Sequence, residues 1–147
     1  MRDLYNNVKA VAVLDPISCA NGDSKEKELD LAGFNSALIG WHVGLTGSAL
    51  SGSNYWTMKL EHADDDGTGV AGSYAAVEAK DVLGVTPATG IIFTVDADTE
   101  DNALYSCGYV GGKRFIKITI AETGTGPTIP LSAFVIKGHP QDAPPIA

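Results

Sequence analysis

Several groups of residues in this sequence have the types that could do chemistry. Gly111-Gly112 stands next to Lys113 and Arg114 in YVGGKRFIKITI, a grouping that could cradle a phosphate. The run Asp64-Asp65-Asp66 in HADDDGTG and the alternating Asp96, Asp98 and Glu100 in DADTED offer oxygens to a calcium ion. His42, His62 and His139 supply imidazoles, and the serines of GLTGSALSG and VAGSYAA supply hydroxyls. Spacing argues against each of these readings. A phosphate loop needs a helix after its glycines, with Walker A or GxGxxG spacing. Here FIKITI follows with period two, so YVGGKRF is expected to be a tight hairpin between two strands. The acidic loops lack the EF-hand ligand order and its flanking helices, which makes solvated loop carboxylates the default for both. No HxH, HExxH or Cys/His spacing supports zinc, and no G-x-S-x-G places a serine nucleophile. The expectation is therefore no catalytic residue, no cofactor and no metal.

The elements that would have to position such groups read as strands. VKAVAVL is a first strand, stopped at Asp15-Pro16, and NGDSKEKE is a polar loop. SALIGWHVG is a nearly continuous apolar run of strand length. In YWTMKLEH, Trp56, Met58 and Leu60 alternate with Thr57, Lys59 and Glu61, the pattern of a half-buried strand. YAAVEAKDVLG reads as a strand running into a turn, GIIFTV and LYSCGYV as strands, and LSAFVIKGHP as the last one. About eight short strands between glycine-rich turns predict an all-β protein, a single-domain β-sandwich or jelly-roll-like barrel. One domain over residues 1–147 is expected, with 1–7 as an N-terminal arm and 138–147 as a proline-rich C-terminal strap. Plain frayed termini are the alternative for both.

Composition sets further bounds. Hydrophobic residues make up 44% of the chain and charged ones 19%, as in a globular domain. The formal charge of −8 disfavours direct nucleic-acid binding, because an acidic surface repels phosphates. MRDLYNNVKAVAVLDP does not read as a signal peptide, and no apolar run reaches the ~20 residues of a membrane span. A soluble protein of the cytoplasm is expected. Cys19 and Cys107 are expected as reduced, unpaired thiols, with a disulfide as the alternative. Of the aromatics that could stack on a sugar, Trp41 is expected in the core. Tyr55 and Trp56, as strand neighbours, face opposite sides, so one of them is expected to be exposed.

The order MRDLYNNVKAV, LDLAGFNSALIGWHVG, SGSNYWTMKLEHADDDGTG, YVGGKRFIKITI, GTGPTIPLSAFVIKGHPQDAPP resembles that of the small virion structural proteins of tailed bacteriophages. The resemblance runs over nearly the whole chain and carries no catalytic signature. It implies a non-enzymatic virion protein assembled in the host cytoplasm. By analogy with other small β-rich cement proteins, the expected role is capsid decoration on the shell exterior, binding the major capsid protein and stabilising the head, as a homo-oligomer. The alternatives are a head–tail joining, neck or minor tail protein, or a carbohydrate-binding module for host attachment. Interface contacts are expected from Arg2, Leu4 and Tyr5 in the arm, from Tyr55 and Trp56, from Lys113 and Arg114, and from His139, Pro140, Pro144 and Pro145 in the strap.

Overall fold

The computed structural model describes residues 3–20, 22–46, 50–125 and 128–142. Among the described residues the chain is all-β, with ten strands in place of the expected eight or so. In order they are β1 (Val8–Cys19), β2 (Ser24–Asp30), β3 (Phe34–Val43), β4 (Tyr55–Ala63) and β5 (Ala75–Ala76). There follow β6 (Val82–Leu83), β7 (Ile91–Val95), β8 (Ala103–Tyr109), β9 (Phe115–Thr123) and β10 (Ile129–Pro140). One antiparallel sheet has the order β1-β10-β3-β8-β6, and the other has β2-β9-β4-β5 with β7 also paired to β4. The two sheets form a sandwich.

Period-two alternation builds the core. Ile39, Trp41 and Val43 of β3 face Trp56, Met58 and Leu60 of β4 and Ile116, Ile118 and Ile120 of β9, all at or near zero exposure. Ile129, Leu131 and Val135 of β10 complete the inner face of the first sheet. Trp41 packs against Phe93 and Tyr105, with ring centroids 6.4 and 6.1 Å away.

Eight of the nine connections cross from one sheet to the other, the exception being β4 to β5. This corrects the expected hairpin at Gly111-Gly112. β8 belongs to the first sheet and β9 to the second, so YVGGKRF carries the chain between layers. The glycine at 111 is needed for close approach, since a β-carbon there would stand 2.7 Å from the Tyr109 ring. Two further boundaries move. β1 continues through Asp15-Pro16 to Cys19, with register shifts between Ala12 and Leu14 and between Leu14 and Ile17. As an edge strand it needs no donor from the proline. The supposed polar loop contains β2, whose alternating Lys25-Glu26-Lys27-Glu28 is an edge strand in charged dress.

The arm and strap are also partly redrawn. Tyr5–Asn7 form a 3-10 turn in which the Asn7 side chain donates to the Asp3 carbonyl at 2.6 Å. Gly138, His139 and Pro140 are not a free strap but the end of β10, where Pro140 lies opposite Phe34. Arg2, Pro144 and Pro145 lie outside the described residues.

Candidate interaction face

The two outward faces of the sandwich differ in kind. On the second sheet, Glu28, Lys117 and Glu61 stand side by side across β2, β9 and β4, with Glu26, Thr119 and Lys59 in the next row. Opposite charges therefore sit opposite each other. Lys59 reaches Glu61 at 2.8 Å, Lys117 reaches Glu61 at 3.2 Å, and Lys117 also lies 4.6 Å above the Tyr74 ring. This face satisfies itself. The hydrogen bond from Lys59, with burial opposing it, holds the Glu61 carboxyl below its ordinary range.

The outward face of the first sheet carries almost no charge. One row reads Ala10, Ile136, Leu38, Gly108 and Leu83, and the next reads Ala12, Phe134, Gly40 and Ser106. A third reads Ser132, His42 and Leu104, bordered by the Asp15-Pro16 bulge of β1. His42 is the one ionisable side chain within the three rows. Leu38, Leu83 and Leu104 are 41%, 59% and 62% exposed, which leaves large apolar side chains facing water. The two glycines keep this face flat. The Phe134 ring lies over Gly40, and Leu83 covers Gly108.

At one end the face opens into an apolar groove of about 460 Å³, where Leu4 and Val110 join Leu38, Leu83 and Ile136. His139 and Pro140 close its rim. His139 has a left-handed φ of 51°, and its Nδ1 lies 2.7 Å from the Ser36 hydroxyl. Among the described residues no carboxylate bonds this ring, so the pair lacks the third member of a nucleophilic triad.

The other expected contacts fall as follows. Leu4 and Tyr5 are exposed at the first turn, Tyr5 at 88%. Tyr55 is half-buried. Trp56 is a correction, because it is 0% exposed and belongs to the core side of β4. Lys113 and Arg114 are already engaged. Arg114 grips Asp30 through Nε at 3.0 Å and Nη2 at 2.7 Å and turns Nη1 to Asp65, while Lys113 pairs with Asp64. Bidentate pairing of this kind raises the guanidinium pKa and holds the Asp30 carboxyl below the usual aspartate range.

The acidic loops are likewise used internally. Asp65 accepts from the amides of Gly69 and Gly67, which lower its pKa, and Asp66 accepts from the Thr68 hydroxyl and amide. Asp98 accepts from the Leu50 amide at 2.7 Å, and Asp101 from the amide and hydroxyl of Thr46. These carboxylates order turns and tie two long loops together. Cys19 and Cys107 are free and buried, and burial pushes the Cys107 thiol up to about 11.

Sequence reasoning missed the leucine-bearing face because SALIGWHVG is a nearly continuous apolar run, in which inward and outward residues look alike. A signal was present. Positions 10 and 12, 38 to 42, and 132 to 136, taken every second residue, contain no Asp, Glu, Lys or Arg.

The chain matches no protein-family model and no curated protein. Among solved structures it is similar to the subunit of Bacillus endospore appendages, described as a novel family of disulfide-linked pili. There the identity is 10% and the TM-score 0.41, over 92% of this chain and 91% of that one. It is also similar to the SPBc2 prophage-derived protein YomS, at 9% identity and TM-score 0.40 over 93% and 99% of the two chains. A third similar structure is the CBM32 of AlyQ in complex with 4,5-unsaturated mannuronic acid, at 18% identity and TM-score 0.36 over 92% and 97%. Likeness at this level carries no argument about function.

Proposed function

We propose that this chain is a non-enzymatic structural protein of a tailed-phage virion, and specifically a decoration or cement protein on the capsid exterior. It docks on the major capsid protein through the uncharged outer face of the first sheet. The observation that carries this reading is the contrast between the two sandwich faces. One has its charges paired within the sheet, and the other leaves Leu38, Leu83 and Leu104 flat, unpaired and free of like-charge repulsion in a chain of net charge −8.

Covering such leucines contributes on the order of 1 kcal/mol each, since they are already partly covered. One docking event of that size is weak, but many copies on one shell act together. A rigid sandwich adds buried area across subunit seams and needs no chemistry to do so. The neck or tail alternative uses the same face at lower copy number. The carbohydrate-binding alternative has less support, because Trp41 and Trp56 are both buried and form no exposed aromatic row.

Co-sedimentation of the purified chain with assembled shells tests the docking face. The Leu38→Asp/Leu104→Asp variant is expected to lose binding while Lys59→Gln on the opposite face keeps it. Equal binding by all three would remove the first sheet from the account.

A further inference from the structure

A sandwich has open sheet edges, and unpaired edges invite another strand. Three of the edges here are blocked. β6 and β5 are two residues long. β7, beside β5, is packed over, as its consecutive Ile92 and Phe93 are both buried. β2 alternates lysine and glutamate along Lys25-Glu26-Lys27-Glu28. The edge of β1 is different. From Val8 to Ala12 it keeps regular register with β10, Val8 opposite Gly138 through to Ala12 opposite Phe134, and its other side pairs with no strand among the described residues. Its only charged residue in that stretch is Lys9. The bulges and Pro16 that bend β1 lie beyond Ala12.

Self-pairing separates the two long edges. When two copies of one strand pair antiparallel about a two-fold axis, the axis passes through a residue opposite itself, and every opposed pair differs by an even number of positions. A strand whose charges alternate with period two must then set lysine against lysine and glutamate against glutamate. β2 is excluded from self-pairing by that parity. β1 is not. With Ala10 on the axis, Lys9 lies opposite Val11 and Val8 opposite Ala12, with no like charges in register. Moving the axis to Val11 sets Lys9 against Val13, with the same result.

We infer that Val8–Ala12 is the self-association edge of this protein. Two copies join antiparallel through β1, and their five-stranded sheets become one ten-stranded sheet with a continuous uncharged outer face. The occupant is a second copy because the edge is self-complementary and because the other long edge repels itself. A five-residue edge buries less than the ~1,200 Å² of a standard interface, so the association is concentration-dependent. The inference does not depend on what the outer face meets.

Sedimentation equilibrium of the full chain over a range of concentrations, with amide hydrogen exchange on the same samples, tests it. The expected result is a reversible doubling of mass, with alternate amides of Val8–Ala12 slowing as the dimer forms. The Ala10→Lys/Ala12→Lys variant changes two exposed side chains, sets lysines against each other across the axis, and should stay a monomer with unchanged thermal unfolding. A wild-type chain that stays monomeric overturns the inference. So does a dimer whose β1 amides exchange as fast as those of the monomeric variant, which would place the interface elsewhere.

Discussion

The tip of the Phe134 ring lies over Gly40, so that a β-carbon at position 40 would stand 2.2 Å from its Cζ. The two residues are direct neighbours across β10 and β3 on the outer face of the first sheet. A strand glycine is otherwise a weak choice, and here it lets an aromatic ring cover backbone and keep the face level.

Gly40→Ala is therefore expected to destabilise the protein by roughly 1–2 kcal/mol, although alanine is the better strand former, because the ring must swing out into water. Urea unfolding measures the change. A neutral or stabilising effect would mean that the ring is not seated as described.

A second prediction concerns acid. Asp30 has its pKa lowered, first by the Arg114 hydrogen bonds and with burial opposing. A depressed carboxylate contributes stability that is present above its unfolded value of about 3.9 and is lost as pH falls through the folded value. Arg114→Gln should therefore shift the urea midpoint most at neutral pH and flatten its fall below about pH 4. Parallel curves for the two proteins would contradict the pairing.

His62 gives the opposite end of the pH range. It is buried with its Nδ1 3.0 Å from the Tyr109 hydroxyl, and burial lowers its pKa. Tyr109, pushed up to about 12 by burial, keeps its proton and shares a hydrogen bond with the neutral ring. The unfolded chain binds the histidine proton more readily, so stability is full above about 6.5 and falls as pH drops below that value. His62→Asn, which keeps an acceptor but does not titrate, should flatten the urea midpoint between pH 7 and 5, taken as roughly the window around that value. Tyr109→Phe strands the ring nitrogen and should cost about 1–3 kcal/mol at neutral pH.

How much of this was legible in the sequence follows from the range of each cause. Alternation is local, so the core residues Met58, Leu60, Ile116, Ile118 and Ile120 could be read from YWTMKLEH and FIKITI directly. Sheet membership is not local. Nothing in YVGGKRF says that its flanking strands belong to different layers, and a hairpin was the reasonable local reading. The charges of β2 looked like a loop because the hydrophobic partner face of an edge strand is short, with Leu29 its one buried residue. The outer face was hidden for a related reason. Leu38 lies between inward-facing Ala37 and Ile39, and only the register with Ile136 and Gly108 shows which way it turns. Lys113 and Arg114 looked available because their partners Asp64, Asp65 and Asp30 lie 49, 49 and 84 residues away.

The buried thiols make a simple check on the core. Cys19 and Cys107 should resist a thiol reagent in the native protein and react together on unfolding, since burial raises both pKa values. Rapid native labelling of either would contradict its placement.

The most direct test of the virion reading is quantitative mass spectrometry of purified virions from the genome that encodes this chain, giving its copies relative to the major shell protein. The account predicts abundance comparable to that of the shell protein. A few copies per particle would contradict decoration and move the chain to the neck or tail, and absence from the particle would contradict the virion reading altogether.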